Sequence, residues 1–252
     1  MLWMMSRLLA VAVAAEALAA TTVRVMETPT YDELERCTVC MVNGFWGSDG
    51  LDDDQRLALA VTQLGDLDER FGGASSRRLR GSLVAALDDG EAVVGMVSLE
   101  LGLFDGARPS VLPRDEAEER FMQKMGELSA QEQDGLRKAP LNEVCATLFG
   151  DAVRVAPLLA NLAVLPSGRR QGLGKRLVDA CVEIAQDWGY DELVLEVEST
   201  NAPAVALYED RLGFQELWRA PRPALEVDAS IASGPPLRRR DAVDHVAMRL
   251  PL

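Results

Sequence analysis

The most constraining feature of this chain is a strand, a glycine-bearing turn and a helix in direct succession. Leu158 to Val164 is apolar and strand-like, and Pro166-Ser167-Gly168 turns it. Gly172 to Trp188 then carries Leu173, Leu177, Ala180, Cys181, Ile184 and Ala185 on one helical face, with Gly189 as its stop. The joint reads Arg169-Arg170-Gln171-Gly172-Leu173-Gly174-Lys175-Arg176. Glycines let backbone approach a ligand closely. The first turn of a helix offers unpaired N–H groups and partial positive charge. Basic side chains crowd this turn in a chain whose formal net charge is −14. Together these predict a phosphate or diphosphate site. The plain structural alternative is a glycine-rich helix start with solvated arginines.

Two common phosphate loops do not fit. The P-loop pattern G-x-x-x-x-G-K-[ST] would need glycine at Arg169 and Ser or Thr at Arg176. The dinucleotide pattern G-x-G-x-x-G would need glycine at Leu177. What remains is Arg-x-x-Gly-x-Gly after a strand, carried by Arg169, Gly172 and Gly174.

Around this joint the pattern alternates. Thr22–Met26 reads as a strand and Tyr31–Phe45 as a helix. Leu51-Asp52-Asp53-Asp54 caps a second helix through Leu67. Ser82–Leu87 and Glu91–Leu103 read as strands joined by the hairpin signal Asp88-Asp89-Gly90. Residues 104–155 read as an insertion, broken by prolines and glycines. Leu193–Val197 is a buried strand, Asn201–Leu212 a helix and Phe214–Trp218 a strand after Gly213. Pro221 to Arg240 reads as an exposed loop, and Val243–Leu250 as a strand closing the sheet. This order predicts one α/β (α+β) layered domain over 22–252.

The 252 residues, 48% hydrophobic and 26% charged, suit a soluble globular protein. A pI near 4.6 speaks against nucleic acid and anionic lipid as partners. It suits cationic partners such as amines, or simply keeps the chain soluble. Residues 1–20 pair one early positive charge with the apolar run Leu8–Ala15 and the small residues Ala17-Leu18-Ala19-Ala20. They read as a cleavable targeting segment, or alternatively as an ordinary helix. No metal is expected. Cys37 and Cys40 form a lone C-x-x-C with no second ligand pair, and His245 is the one histidine. They are read as small buried hydrophobes sharing a helix face.

Two runs resemble a known family. Asn161-Leu162-Ala163-Val164-Leu165-Pro166 followed by Arg169-Arg170-Gln171-Gly172-Leu173-Gly174 is similar to the acetyl-CoA-binding segment of the GNAT N-acetyltransferase superfamily. Asn201-Ala202-Pro203-Ala204-Val205-Ala206-Leu207-Tyr208-Glu209 with Leu212-Gly213-Phe214 resembles its second segment, so the match covers 158–218. More loosely, the Asn-Leu-Ala-Val strand and Gly44-Phe45-Trp46-Gly47 resemble plastid-type members that acetylate protein N-termini and lysines.

The resemblance implies a mixed central sheet of about six or seven strands with helices on both faces. It implies a splayed parallel pair, here 158–165 and 192–198, and acetyl-CoA as co-substrate. Backbone of Leu162, Ala163 and Val164 would border the pantetheine arm as an added strand would. Residues Arg169, Arg170, Gln171, Gly172, Leu173, Gly174 and Lys175 would hold the diphosphate. A backbone N–H near Leu162 would polarise the thioester carbonyl. Asn201 would contact the coenzyme, and Tyr208 would protonate the departing thiolate. A tyrosine on an amphipathic helix also fits core packing, and both readings stay open. Glu196 and Glu198, alternating with Leu195 and Val197, are candidate bases, with a solvated strand face as the alternative. Glu100 and His245 are weaker candidates.

The implied reaction is acetyl transfer to a primary amine: protein α-amines and lysines, or a small amine or amino acid. A non-catalytic acyl-CoA-binding module is the reading from another class. A plastid is the expected compartment, with the secretory pathway or the cytoplasm as alternatives.

Overall fold

A computed structural model describes residues 21–47, 49–72, 81–88, 90–105, 110–112, 114–228, 230–231 and 234–252. The expected targeting segment, 1–20, lies outside the described residues. β1 (Thr22–Met26), α1 (Tyr31–Trp46), α2 (Asp53–Phe71), β2 (Gly81–Leu87) and β3 (Val93–Asp105) open the chain. A short β4 (Ser110–Val111) and three helices, α3 (Arg114–Gly126), α4 (Ala130–Leu136) and α5 (Leu141–Phe149), follow. Then come β5 (Val153–Val164), α6 (Leu173–Asp187), β6 (Glu192–Glu198), α7 (Ala202–Ala206), β7 (Gln215–Val227) and β8 (Leu237–Pro251).

One mixed sheet of eight strands runs through the molecule in the order β1-β2-β3-β5-β6-β8-β7, with β4 paired to β3. All pairs are antiparallel except β5 with β6. Helix starts are set locally. Thr30 with Glu33, Asp52 with Gln55 and Ser129 with Glu132 form capping boxes that satisfy the first free N–H groups of α1, α2 and α4.

Helices cover both faces, as expected. A Cβ on Gly44 of α1 would meet the Ala163 Cβ at 3.1 Å, whereas a Cβ on Gly95 of β3 would meet Leu177 of α6 at 3.2 Å. Met96 pairs with Ala163 and Gly95 with Val164. Neighbouring strand residues point to opposite faces, so α1 lies on one side and α6 on the other. Arg70 of α2 reaches Glu100 at 2.6 Å, placing α2 beside α1. The main core joins Leu34, Met41, Leu59, Leu67 and Phe71 of α1 and α2 to the strands, and Leu177 and Cys181 of α6 to the other face.

Four expectations change. Residues 221–240 are not a loop. β7 runs to Val227 and β8 begins at Leu237, so only 228–236 separate the two strands. Pro221 and Pro223 occupy β7, an edge strand whose outer N–H groups need no partner. Arg238 and Arg240 pair with Glu226 across the ribbon. β8 lies between β6 and β7 rather than outside them. The helix expected at 201–212 is a short α7 continued by a π-type turn over Leu207–Arg211. The insertion narrows to 106–152, because β3 continues to Asp105 and β5 starts at Val153. Cys37 and Cys40 are buried and free, as expected, and burial pushes the Cys37 thiol up to about 12.

Leu177, fully buried beneath Gly95, tests the α6 packing. Leu177→Ala is expected to destabilise the chain by about 2–5 kcal/mol in chemical denaturation, from lost contacts and an unfilled cavity.

Candidate functional site

The first part of the site is the turn into α6. Gly168 N–H reaches Leu165 O and Arg169 N–H reaches Pro166 O, and the next backbone bond is from Arg176 N–H to Gly172 O at 3.1 Å. Between them, no acceptor among the described residues meets the N–H groups of Arg170 to Lys175. Arg170 (φ +63°) and Gly172 (φ +80°) are left-handed, which turns successive N–H groups into a concave nest at a helix start. Gly172 is the N-cap of α6 and no side chain caps it. The turn thus offers main-chain donors and the positive end of a helix to an anion.

The basic side chains mostly have other duties. Arg169 donates through Nε to Val164 O at 3.1 Å and through Nη2 to Gly44 O at 2.6 Å, stapling α1 to the end of β5. Lys175 pairs with Asp179 at 2.7 Å, Arg176 holds Thr21, and Gln171 holds Ser167 O. Among the described residues, Arg170 is left without an ion pair or hydrogen bond.

The second part is a gap in the sheet. β5 and β6 pair only at Leu158–Val194 and Leu159–Leu195. Beyond that point β5 stays with β3 and β6 stays with β8. A bulge marks the parting. Ser98 pairs with Ala160 and Met96 with Ala163, so Asn161 and Leu162 together oppose Val97. Asn161 sits at φ +55°, its Nδ2 donating to Ser98 Oγ, which in turn donates to Ala160 O. Leu165 N–H points to Val94 O on β3. Strand alternation then turns the Val164 N–H toward the gap and that of Ala163 back toward β3. Ala163 itself is covered by Gly44.

The third part is the segment after β6. Asn201 caps α7, its Oδ1 accepting from Ala204 N–H at 3.3 Å. A Cβ on Gly174 would meet Leu207 Cδ2 at 3.4 Å, so this segment lies directly against the start of α6. Tyr208 follows within the π-type turn, buried edge-on against Phe214 with ring centroids 5.6 Å apart. Burial raises its phenol above the ordinary value, with Cys181 adding to the rise. The register Leu99–Leu159–Leu195 continues the α6 face into β6.

Glu196 and Glu198 therefore face the other way, toward the α1–α2 side. Neither is simply solvated. Glu196 pairs with Arg222 at 2.8 Å, and Glu198 with Arg240 at 3.2 Å. Burial raises the Glu196 carboxyl, partly offset by Arg222, the Val111 main chain and His245. Glu100, by contrast, is engaged by Arg70 away from the gap.

Residues 145–214 match the family model described as Acetyltransferase (GNAT) family. That match covers the turn into α6, the gap and the segment after β6, and is a similarity to the family over this part of the chain. The chain is similar to the [Ribosomal protein bS18]-alanine N-acetyltransferase of Escherichia coli K12, 47% identical over 58 residues, 23% of this chain and 38% of that relative. It is also similar to N-alpha-acetyltransferase 30 of Schizosaccharomyces pombe, 39% identical over 56 residues, 22% of this chain and 37% of that relative. The match thus spans well under half the length of either relative. Among solved structures, the ribosomal-protein-S18-alanine N-acetyltransferase of Escherichia coli aligns over 91% of this chain and 94% of its own, at 16% identity and a TM-score of 0.45.

Sequence reasoning underrated two neighbours of Glu196. Arg222 lay in the stretch read as a loop. His245 was set aside for its distance along the chain, yet it stands opposite Glu198 across β6–β8. Charge complementarity between Glu196 and an arginine on another strand leaves no local pattern to read.

Arg169 gives a direct check on the staple. Arg169→Ala is expected to lower the melting midpoint by about 2–4 °C, the equivalent of about 1 kcal/mol for lost charge-assisted bonds at an exposed site. Faster amide exchange near Gly44 and Val164 should accompany it.

Proposed function

We propose that this chain is an N-acetyltransferase that uses acetyl-CoA as co-substrate and acetylates primary amines, with protein N-terminal α-amines and lysines as the leading acceptors. The observation that carries the reading is the pair of open main-chain features side by side. One is the row of N–H groups from Arg170 to Lys175 without an acceptor among the described residues. The other is the β5 edge, which loses β6 beyond Leu159. A diphosphate suits the first, and an extended arm with amide groups suits the second, as an added strand would. The GNAT match over 145–214 and the relatives, one named for a ribosomal-protein alanine and one as an N-alpha-acetyltransferase, support this reading.

In the proposed reaction the acceptor nitrogen gives up a proton to Glu196, directly or through water. Its lone pair attacks the thioester carbonyl carbon while main-chain N–H near Leu162 faces the developing oxyanion. The C–S bond breaks, and the thiolate takes a proton from the Tyr208 hydroxyl. Tyr208 belongs to the α6 side of the sheet and Glu196 to the α1–α2 side, with the gap between β5 and β6 separating them. Glu196 is preferred to Glu198 because its carboxylate is the less exposed, 18% against 32%. A base matters most for lysine, of which less than about 1% is neutral near pH 7.5.

One contact favours a narrower acceptor. Gln55 Nε2 of α2 donates to Ile231 O in the β7–β8 turn at 3.4 Å, so the ribbon reaches across the α1–α2 side. A single chain end or a small amine passes such a bridge more readily than a lysine on a folded surface. Mass spectrometry after incubation with acetyl-CoA, peptides and a small-amine panel separates these acceptors. Acetyl on peptide α-amines is the expected result, and label confined to small amines would move the reading to that class.

Tyr208→Phe is expected to lower turnover by about tenfold or more with coenzyme affinity unchanged by calorimetry. If wild-type chain binds acetyl-CoA but acetylates no amine, it is a coenzyme-binding module instead. For the compartment we propose a plastid, on the loose resemblance of 44–47 and the composition of 1–20, and imaging residues 1–30 fused to a reporter tests it.

A further inference from the structure

We propose that Arg222 is a positioning residue of the transfer reaction, holding the Glu196 carboxylate charged and fixed at the open edge of β6. The inference rests on the acetyl-transfer reading above and deepens it.

The geometry begins with β7. Pro221 and Pro223 flank Arg222, and the ladder to β8 slips between Arg222 and Ala224: Asp241 and Ala242 together oppose Pro223, so β8 carries the extra residue of a bulge. Within that bulge, Ala242 is left-handed at φ +57°. A bulge in the partner strand bends the ribbon locally and each proline fixes its own φ, so this irregularity sets the direction in which Arg222 leaves β7. The side chain crosses β8 to Glu196, reaching Oε1 with Nη2 at 2.8 Å, and both side chains are about four-fifths covered, at 21% and 18% exposure. Two prolines opposite a bulge in β8 leave Arg222 little main-chain freedom, which delivers one fixed cation to a carboxylate beside the gap.

The other charged groups around Glu196 are accounted for. His245 on β8 faces it and its Nδ1 is engaged with Val243 O. Glu198, next on the same face of β6, is paired with Arg240. From the β3–β4 side comes the main chain of Val111, and the nearest acid there, Asp105, is paired with Arg120 at 3.1 Å. Arg222 is thus the cation committed to Glu196. Without it, a carboxyl already raised by burial would rise further and stay protonated at higher pH. A protonated Glu196 cannot accept the proton that the amine nitrogen must lose. Arg222 touches neither coenzyme nor acceptor in this scheme and acts only through Glu196.

The test compares pH profiles of kcat/KM for the full chain and for Arg222→Met, Arg222→Lys, Glu196→Gln and the Glu196→Gln/Arg222→Met pair, with acetyl-CoA and an acceptor peptide. Arg222→Met should move the acidic limb up by about one pH unit and lower kcat/KM about tenfold at about pH 7, with affinity for coenzyme A unchanged. Arg222→Lys should recover most of the loss. The double variant should be no slower than Glu196→Gln. An unmoved limb in folded Arg222→Met, or losses that multiply in the double variant, would overturn the inference. A carbon-13 titration of the Glu196 carboxyl, assigned through Glu196→Gln, reads the same effect without turnover. Absence of acetyl transfer in the wild type would defeat the functional reading alone. A Glu196 midpoint that stays put in Arg222→Met would defeat this one.

Discussion

The interaction on which the molecule turns is one that two strands stop making. β5 and β6 are parallel neighbours for two register positions and then part. A strand edge opened inside a sheet exposes main-chain donors and acceptors that must find partners elsewhere. Here the opening is built rather than accidental. The bulge at Asn161 and Leu162, pinned by Ser98, bends β5 away while keeping it bonded to β3. Arg169 then ties the end of β5 to Gly44, so that α1 braces the strand that has lost a partner.

The chemistry assigned to the gap follows from the two faces it joins. α6, α7 and Tyr208 occupy one side, with the helix start and its open N–H groups. Glu196, Glu198 and the β7–β8 ribbon occupy the other. A thioester lying between β5 and β6 would meet a buried phenol from one side and a partly buried carboxylate from the other. Both groups are raised by desolvation. For the phenol this keeps the hydroxyl protonated while making it a weaker acid. For the carboxylate it strengthens the base, provided that a cation keeps the group ionised.

Much of this was legible in the sequence where local rules apply. The capped helices, the first hairpin and the α6 turn each carry a short-range signal, in Asp52 with Gln55, in Asp88 to Gly90, and in Gly172. What could not be read is what long-range pairing decides. Pro221, Pro223 and a run of arginines look like loop until a partner strand supplies Glu226 across the ribbon. The parting of β5 from β6 also has no local signature, since both strands read as ordinary apolar runs; only the resemblance pointed to it. Arg169 shows the converse. Its position in the turn suggested a phosphate ligand, while its guanidinium is spent on two carbonyls, leaving the main chain and Arg170 to face an anion.

The central claim is that the turn into α6 grips a diphosphate while the gap beside it receives the arm. Calorimetry of the full chain with coenzyme A and, separately, with pantetheine tests this most directly. The account predicts saturable binding of coenzyme A and a loss of at least about tenfold for pantetheine, which lacks the diphosphate. Equal affinity for the two, or no binding of coenzyme A at all, would contradict it.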